Sequence, residues 1–151
     1  MGKKSDYKKL IDSMETYSGI TRADTLNELV DSWRRIQDYL GGVPWSYMKP
    51  ENRRKLEGII DDWIETRIEE ARDRIRKTWR ERTPRYRRAY ERVLDYLLED
   101  PDRLGYMLTR YYSPVFGERM AVYREIAQAL GISVRTVSDA FWTFRRAGIL
   151  E

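Results

Sequence analysis

With 151 residues and neither cysteine nor histidine, the chain excludes disulfides, thiolate and imidazole metal sites, cysteine nucleophiles and every catalytic set built on an imidazole base. The length fits one domain or two small ones and is enough to bury a core without cross-links. Charged residues reach 36%, but five Trp, eleven Tyr and three Phe accompany them, so the composition is that of a folded, highly charged protein and not of a disordered one. Net charge is only +4, and 22 of the 29 basic residues are Arg. Dense mixed charge without cysteine points to a thermophile protein. No apolar run approaches a membrane span, and the start MGKKSDYKKL has no apolar signal region, so the expected location is cytoplasmic.

Apolar spacing is helical along nearly the whole chain, and an all-α fold is expected. Tyr7, Leu10, Ile11, Met14 and Tyr17 form one stripe. Leu26, Leu29, Val30, Trp33, Ile36 and Leu40 form the next, opened by Thr25-Leu26-Asn27-Glu28, a capping-box spacing, and closed by Gly41-Gly42. Pro50 to Arg82 reads as one long helix of about 50 Å, with Ile60, Ile64, Ile68, Ala71, Ile75 and Trp79 on one side. Thr83-Pro84, Asp100-Pro101 and Ser113-Pro114 each set a cap-forming residue before proline, which tolerates the first helical position. They predict a helix from Pro84 to Glu99, with Tyr86, Tyr90, Val93 and Leu97 inward, and a shorter one from Pro101 to Tyr112 carrying Leu104, Leu108 and Tyr111. The expected division is a helical bundle over 1–99, used for dimerisation, and a DNA-binding domain over 100–151.

The strongest pattern closes the chain. From Tyr123 the residues run YREIAQALGISVRTVSDAFWTFRRAGIL, with Ala127 four residues before Gly131 and Val137 six after it. A small residue at 127 lets two helices pack closely, Gly131 suits the turn between them, and Ser133 is placed to cap the second helix, Val134 to about Arg146. Ile126, Leu130, Ile132, Val137 and Phe141 supply a shared core. This stretch resembles the helix-turn-helix of winged-helix transcription regulators, notably the catabolite-activator and gluconate-regulator families. The resemblance covers about a fifth to a quarter of the chain and implies duplex DNA as partner. It makes the second helix the recognition helix, presenting Ser133, Val134, Arg135, Thr136, Ser138, Asp139 and Trp142, with Arg135 suited to guanine O6 and N7. The families continue into a β-hairpin wing, whereas this chain ends at Glu151, so a wingless form is expected and backbone contacts must come from elsewhere.

A second segment is a source of such contacts. From Arg72 to Arg88 nine basic residues face two acids, a net of +7, while Glu57 to Glu70 carries a net of −5. Arg72, Arg76, Lys77, Arg80, Arg85, Arg87 and Arg88, joined by Arg145 and Arg146 after the recognition helix, are the candidate phosphate contacts. Trp79, Tyr86 and Tyr90 among them would suit stacking on single-stranded bases. The same basic half would also pair with the acidic half of an antiparallel second copy.

Enzyme motifs are sparse. Asp61, Asp62, Glu65 and Glu69 have helical spacing for a divalent ion, Tyr111-Tyr112 suggests a tyrosine nucleophile but lacks the histidine motif that accompanies one, and there is no phosphate-binding glycine loop. No cofactor is expected, and the chain reads as a non-enzyme. The leading expectation is a sequence-specific duplex-DNA-binding regulator acting as a homodimer. A replication or partition accessory module of a plasmid or virus, and a sigma-like adaptor, are the alternatives.

Overall fold

The computed structural model describes residues 3–83, 85 and 87–151. Among the described residues there are seven α-helices and no strand: α1 (Lys3–Ser18), α2 (Leu26–Gly41), α3 (Pro50–Arg82), α4 (Arg88–Glu99), α5 (Pro101–Tyr111), α6 (Glu118–Leu130) and α7 (Val134–Arg146). Short 3₁₀ turns at Ile20–Arg22 and Trp45–Tyr47 lie in the first two connections. None of the described helices is long and apolar enough to cross a membrane.

Local signals set most of the helix ends. Thr25 Oγ1 accepts the Glu28 amide at 3.0 Å, and the Glu28 carboxylate reaches back to the Asp24 amide at 3.1 Å, so both halves of the capping box form, the second one residue early. Asp100 caps α5 by accepting from the Asp102 and Arg103 amides, with Pro101 at the first helical position. Two of the proline signals do not start helices. Ser113 binds the Val115 amide at 3.2 Å within a loop, and α6 begins only at Glu118, after Gly117 in the left-handed region. Thr83 ends α3, and α4 begins at Arg88 without a side-chain cap. Pro84 and Tyr86 lie outside the described residues.

The reason for the late start of α4 lies in its pairing with α3. Arg72 donates to the Leu98 and Glu99 carbonyls at 2.6 and 2.8 Å, Arg76 pairs with Asp95 at 3.0 Å, and Arg80 pairs with Glu91. Each rung lies one helical turn along α3, and its partner descends α4 in step, which is an antiparallel hairpin with its midpoint near residue 85. A chain reversing there ends α3 at Arg82 and begins α4 only at Arg88, whatever the cap.

Two apolar clusters divide the interior. The smaller joins Met14, Ile20 and Ile36 to Leu56, Ile60 and Ile68 of α3. The larger takes Leu26, Leu29 and Val30 from the start of α2, Ala71, Ile75 and Trp79 from the end of α3, and the inner faces of α4 to α7. The expected division at residue 99 falls inside this larger cluster. Gly105 permits close approach of α5 to α2, since a Cβ there would lie 3.3 Å from Val30 and Arg34. Trp79 is fully buried and meets Phe144 of α7 edge-on at 6.3 Å, so the long helix packs directly on the last one.

Candidate nucleic-acid interface

α6 and α7 form the helix pair expected from the Ala127, Gly131 and Val137 spacing. Gly131 takes φ 66°, a left-handed conformation that disfavours other residues, and the Ile132 amide closes the end of α6 on the Ala127 carbonyl at 3.1 Å. Ser133 Oγ accepts the Thr136 amide at 3.1 Å and starts α7 at Val134. Behind the turn, Phe141 packs against Tyr111 and Tyr123 at ring distances of 5.0 and 5.3 Å. With Val137, Ala140 and Phe144 also buried, α7 is held on one side only.

Its other side faces solvent as a single line. Arg135, Asp139, Trp142 and Arg146 recur at helical spacing, all exposed. The Arg135 side chain is 92% exposed and lies 4.0 Å from the Asp139 carboxylate. Trp142 is 59% exposed, with the Arg146 guanidinium over its ring at 4.7 Å. Ser133 is exposed too, whereas Val134, Thr136 and Ser138 are only half-exposed. Val134 leans on the core, Thr136 meets the Ser133 hydroxyl at 2.8 Å, and Ser138 hydrogen-bonds Tyr123 on α6. Burial pushes the Tyr123 phenol above its ordinary pKa, so it stays neutral beside this face.

The basic segment divides in two. Arg72, Arg76 and Arg80 hold α3 to α4 and are engaged inside the chain; Arg74 likewise donates to the Ala23 carbonyl and pairs with Asp24. Lys77 is exposed and pairs only loosely with Glu81, at 4.0 Å. Arg85, Arg87 and Arg88 are exposed at the bend and the start of α4. The bend lies beside α7: Arg82, Arg85, Arg87, Tyr90, Trp142 and Arg146 line one cleft of about 590 Å³. Arg87 sits over the Tyr90 ring at 5.4 Å. Arg145 is exposed at the end of α7.

The segment after α7 is bound to earlier parts of the chain. Arg82 donates to the Ala147 carbonyl at 3.1 Å, and Gly148 follows at φ 76°, where a Cβ would stand 2.8 Å from that guanidinium. The Ile149 carbonyl accepts from the Leu26 amide at 2.8 Å, Asn27 accepts the Glu151 amide at 2.9 Å, and the Tyr112 hydroxyl donates to the Glu151 carbonyl. The end of α7 is thus fixed to α3 and to the first turn of α2.

Two features carry no local sequence signal. Arg82 belongs to a run of similar arginines, and only the fold brings it to the Ala147 carbonyl. Val115, Phe116 and Met120, which are 62%, 103% and 42% exposed, form an apolar knob before and within α6. The acidic residues Asp62, Glu65, Glu69, Glu70 and Asp73 line a shallow groove of α3, and among the described residues no group of three acidic side chains is placed to hold a metal ion. Compared with protein-family models, with curated proteins and with solved structures, the chain matches none.

Proposed function

We propose that the protein binds double-stranded DNA sequence-specifically, as a transcriptional regulator that acts as a homodimer. One observation carries this reading: the exposed line of α7 stands beside a bend bearing three exposed arginines. A helix anchored on one side and open on the other fits the major groove, and its N-terminal turns offer Arg135 and Asp139 to base edges. Arg85, Arg87 and Arg88, with Arg145 and Arg146, lie where cations would meet the flanking phosphates, so the α3–α4 bend takes over the work of a wing. A single such unit touches few base pairs, and two-fold pairing is the usual remedy. The engaged state of Arg72, Arg76 and Arg80 moves the expected pairing surface away from the basic half of α3, toward α1 and the first half of α3.

Fluorescence anisotropy with duplex, single-stranded and RNA probes, followed by selection of duplexes from a random library, tests the reading. A two-fold symmetric preferred site and a dimer by light scattering are expected. A second reading, the replication or partition accessory module, is favoured by the cationic cleft in which the exposed Trp142 ring lies beside Arg85 and Arg87, which suits stacking on an unpaired base; Trp79 and Tyr90, expected from the sequence to stack, are buried and do not contribute. Preference for single strands would establish that reading in place of the first.

A further inference from the structure

We infer that Trp142 is a base-reading residue and that it recognises thymine, two to three base pairs from the guanine met by Arg135. The inference rests on the duplex reading above. Arg135 and Trp142 lie on the same exposed line of α7, seven residues apart, with Asp139 between them. At 1.5 Å per residue they are separated by about 10 Å along the helix, which is at most about three base-pair steps at the 3.4 Å axial rise and fewer along the longer winding path of the groove.

The choice of thymine follows from what the indole offers. Trp142 is 59% exposed, and none of the hydrogen bonds formed by the described residues uses its ring N–H. Its reading edge therefore combines an apolar ring with a single donor and no acceptor. In the major groove thymine alone presents a methyl group beside an acceptor, O4. Cytosine presents only an amino donor, which opposes the indole N–H, and adenine presents an acceptor beside an amino donor but no methyl group. Guanine presents acceptors but nothing apolar, and its two acceptors suit the Arg135 fork better.

The test removes the methyl group and nothing else. On the duplex selected from the random library, each thymine is replaced in turn by deoxyuridine, and affinity is measured for the wild-type protein, Trp142→Ala and Trp142→Phe. Burying one methyl corresponds to about a fourfold change in affinity. One position is expected to lose about fourfold with uracil in the wild type, to be indifferent to uracil in Trp142→Ala, and to keep most of its discrimination in Trp142→Phe, where an apolar ring remains. That position should lie two to three base pairs from the guanine whose replacement is tolerated by Arg135→Ala. Since Trp142 lies outside the core, circular dichroism should be unchanged in both variants. A selected duplex indifferent to uracil, or one whose uracil sensitivity survives Trp142→Ala, overturns the assignment alone. A library that yields no preferred sequence overturns the duplex reading and this inference with it.

Discussion

The second half of α3 and the bend that follows it share one arginine-rich stretch, yet the fold uses its cations in opposite ways. Arg72, Arg76 and Arg80 are turned onto α4, where carbonyls and carboxylates complete their hydrogen bonds. Arg85, Arg87 and Arg88, a few residues on, are exposed, and the first two line the cleft beside Trp142. Charge density along a sequence therefore measures how many cations are present and not how many face a partner. What separates the two groups is the antiparallel hairpin, since a helix that gains a neighbour supplies carbonyl and carboxylate acceptors on the shared side, whereas at the bend Arg87 meets the ring and hydroxyl of Tyr90.

The bend is where this division of labour is most directly put at risk. Replacing Arg85, Arg87 and Arg88 together by Ala should reduce the salt dependence of duplex binding by about 0.9 in log–log slope for each phosphate no longer neutralised. At 0.1 M salt this amounts to roughly eightfold per phosphate and several hundredfold for three. The loss of affinity should be the same on preferred and random sequences, with thermal stability unaltered. Equal slopes for variant and wild type, measured by anisotropy at salt concentrations from about 50 to 300 mM, would mean that the bend faces no phosphate.

The converse change is made at Arg72, whose side chain is 19% exposed and bound to two carbonyls at the end of α4. Removing a charged donor of this kind costs about 1.5–3 kcal/mol. Arg72→Ala should accordingly lower the melting temperature by several degrees, while the salt slope of binding stays at its wild-type value. A normal melting temperature with a reduced slope would reverse the assignment of the two groups.

Much of the fold was legible because its signals are local. Helical stripes, the Thr25 and Asp100 caps and the Gly131 turn each act within a few residues, and the limits of α3 and α7 follow from them. The Ser113 and Thr83 signals misled because a cap residue before proline describes a permitted helix start, and whether the helix begins there depends on where the chain must reverse. Within the site, Arg135, Asp139 and Trp142 were legible from the outward side of a short amphipathic helix. Thr136 and Ser138 were less so, since their neighbours Ser133 and Tyr123 draw them in. The fates of Arg72, Arg76, Arg80 and Arg82 were not legible at all, because their acceptors lie 11 to 65 residues away in sequence.

Arg135 extends the contrast between engaged and free cations to specificity, being a cation with no internal task beyond its distant approach to Asp139. If it reads guanine bidentately, Arg135→Ala should cost about 1–3 kcal/mol on the preferred duplex and little on random duplex. The ratio of the two affinities, measured at one salt concentration, is the deciding quantity. A uniform loss on both duplexes would place Arg135 with Arg85, Arg87 and Arg88 as a phosphate contact.

The smallest effect concerns pH. Burial raises the phenol pKa of Tyr112, beside Asn27 and Glu151, and of Tyr123, beside Tyr111 and Ser138. Both phenols are neutral in the fold, and their unfolded counterparts ionise near pH ~10. Their contribution to stability is therefore complete below about pH 10 and is lost as pH rises through the higher folded values, because the unfolded state releases its protons first. With no histidine in the chain, the melting temperature should be nearly flat from about pH 6 to 9 and fall above about pH 10. Tyr123→Phe removes the hydroxyl and its ionisation while keeping the ring against Phe141, so the alkaline fall should be shallower in that variant. An alkaline fall identical in wild type and variant would locate the titration elsewhere than at the α6–α7 contact.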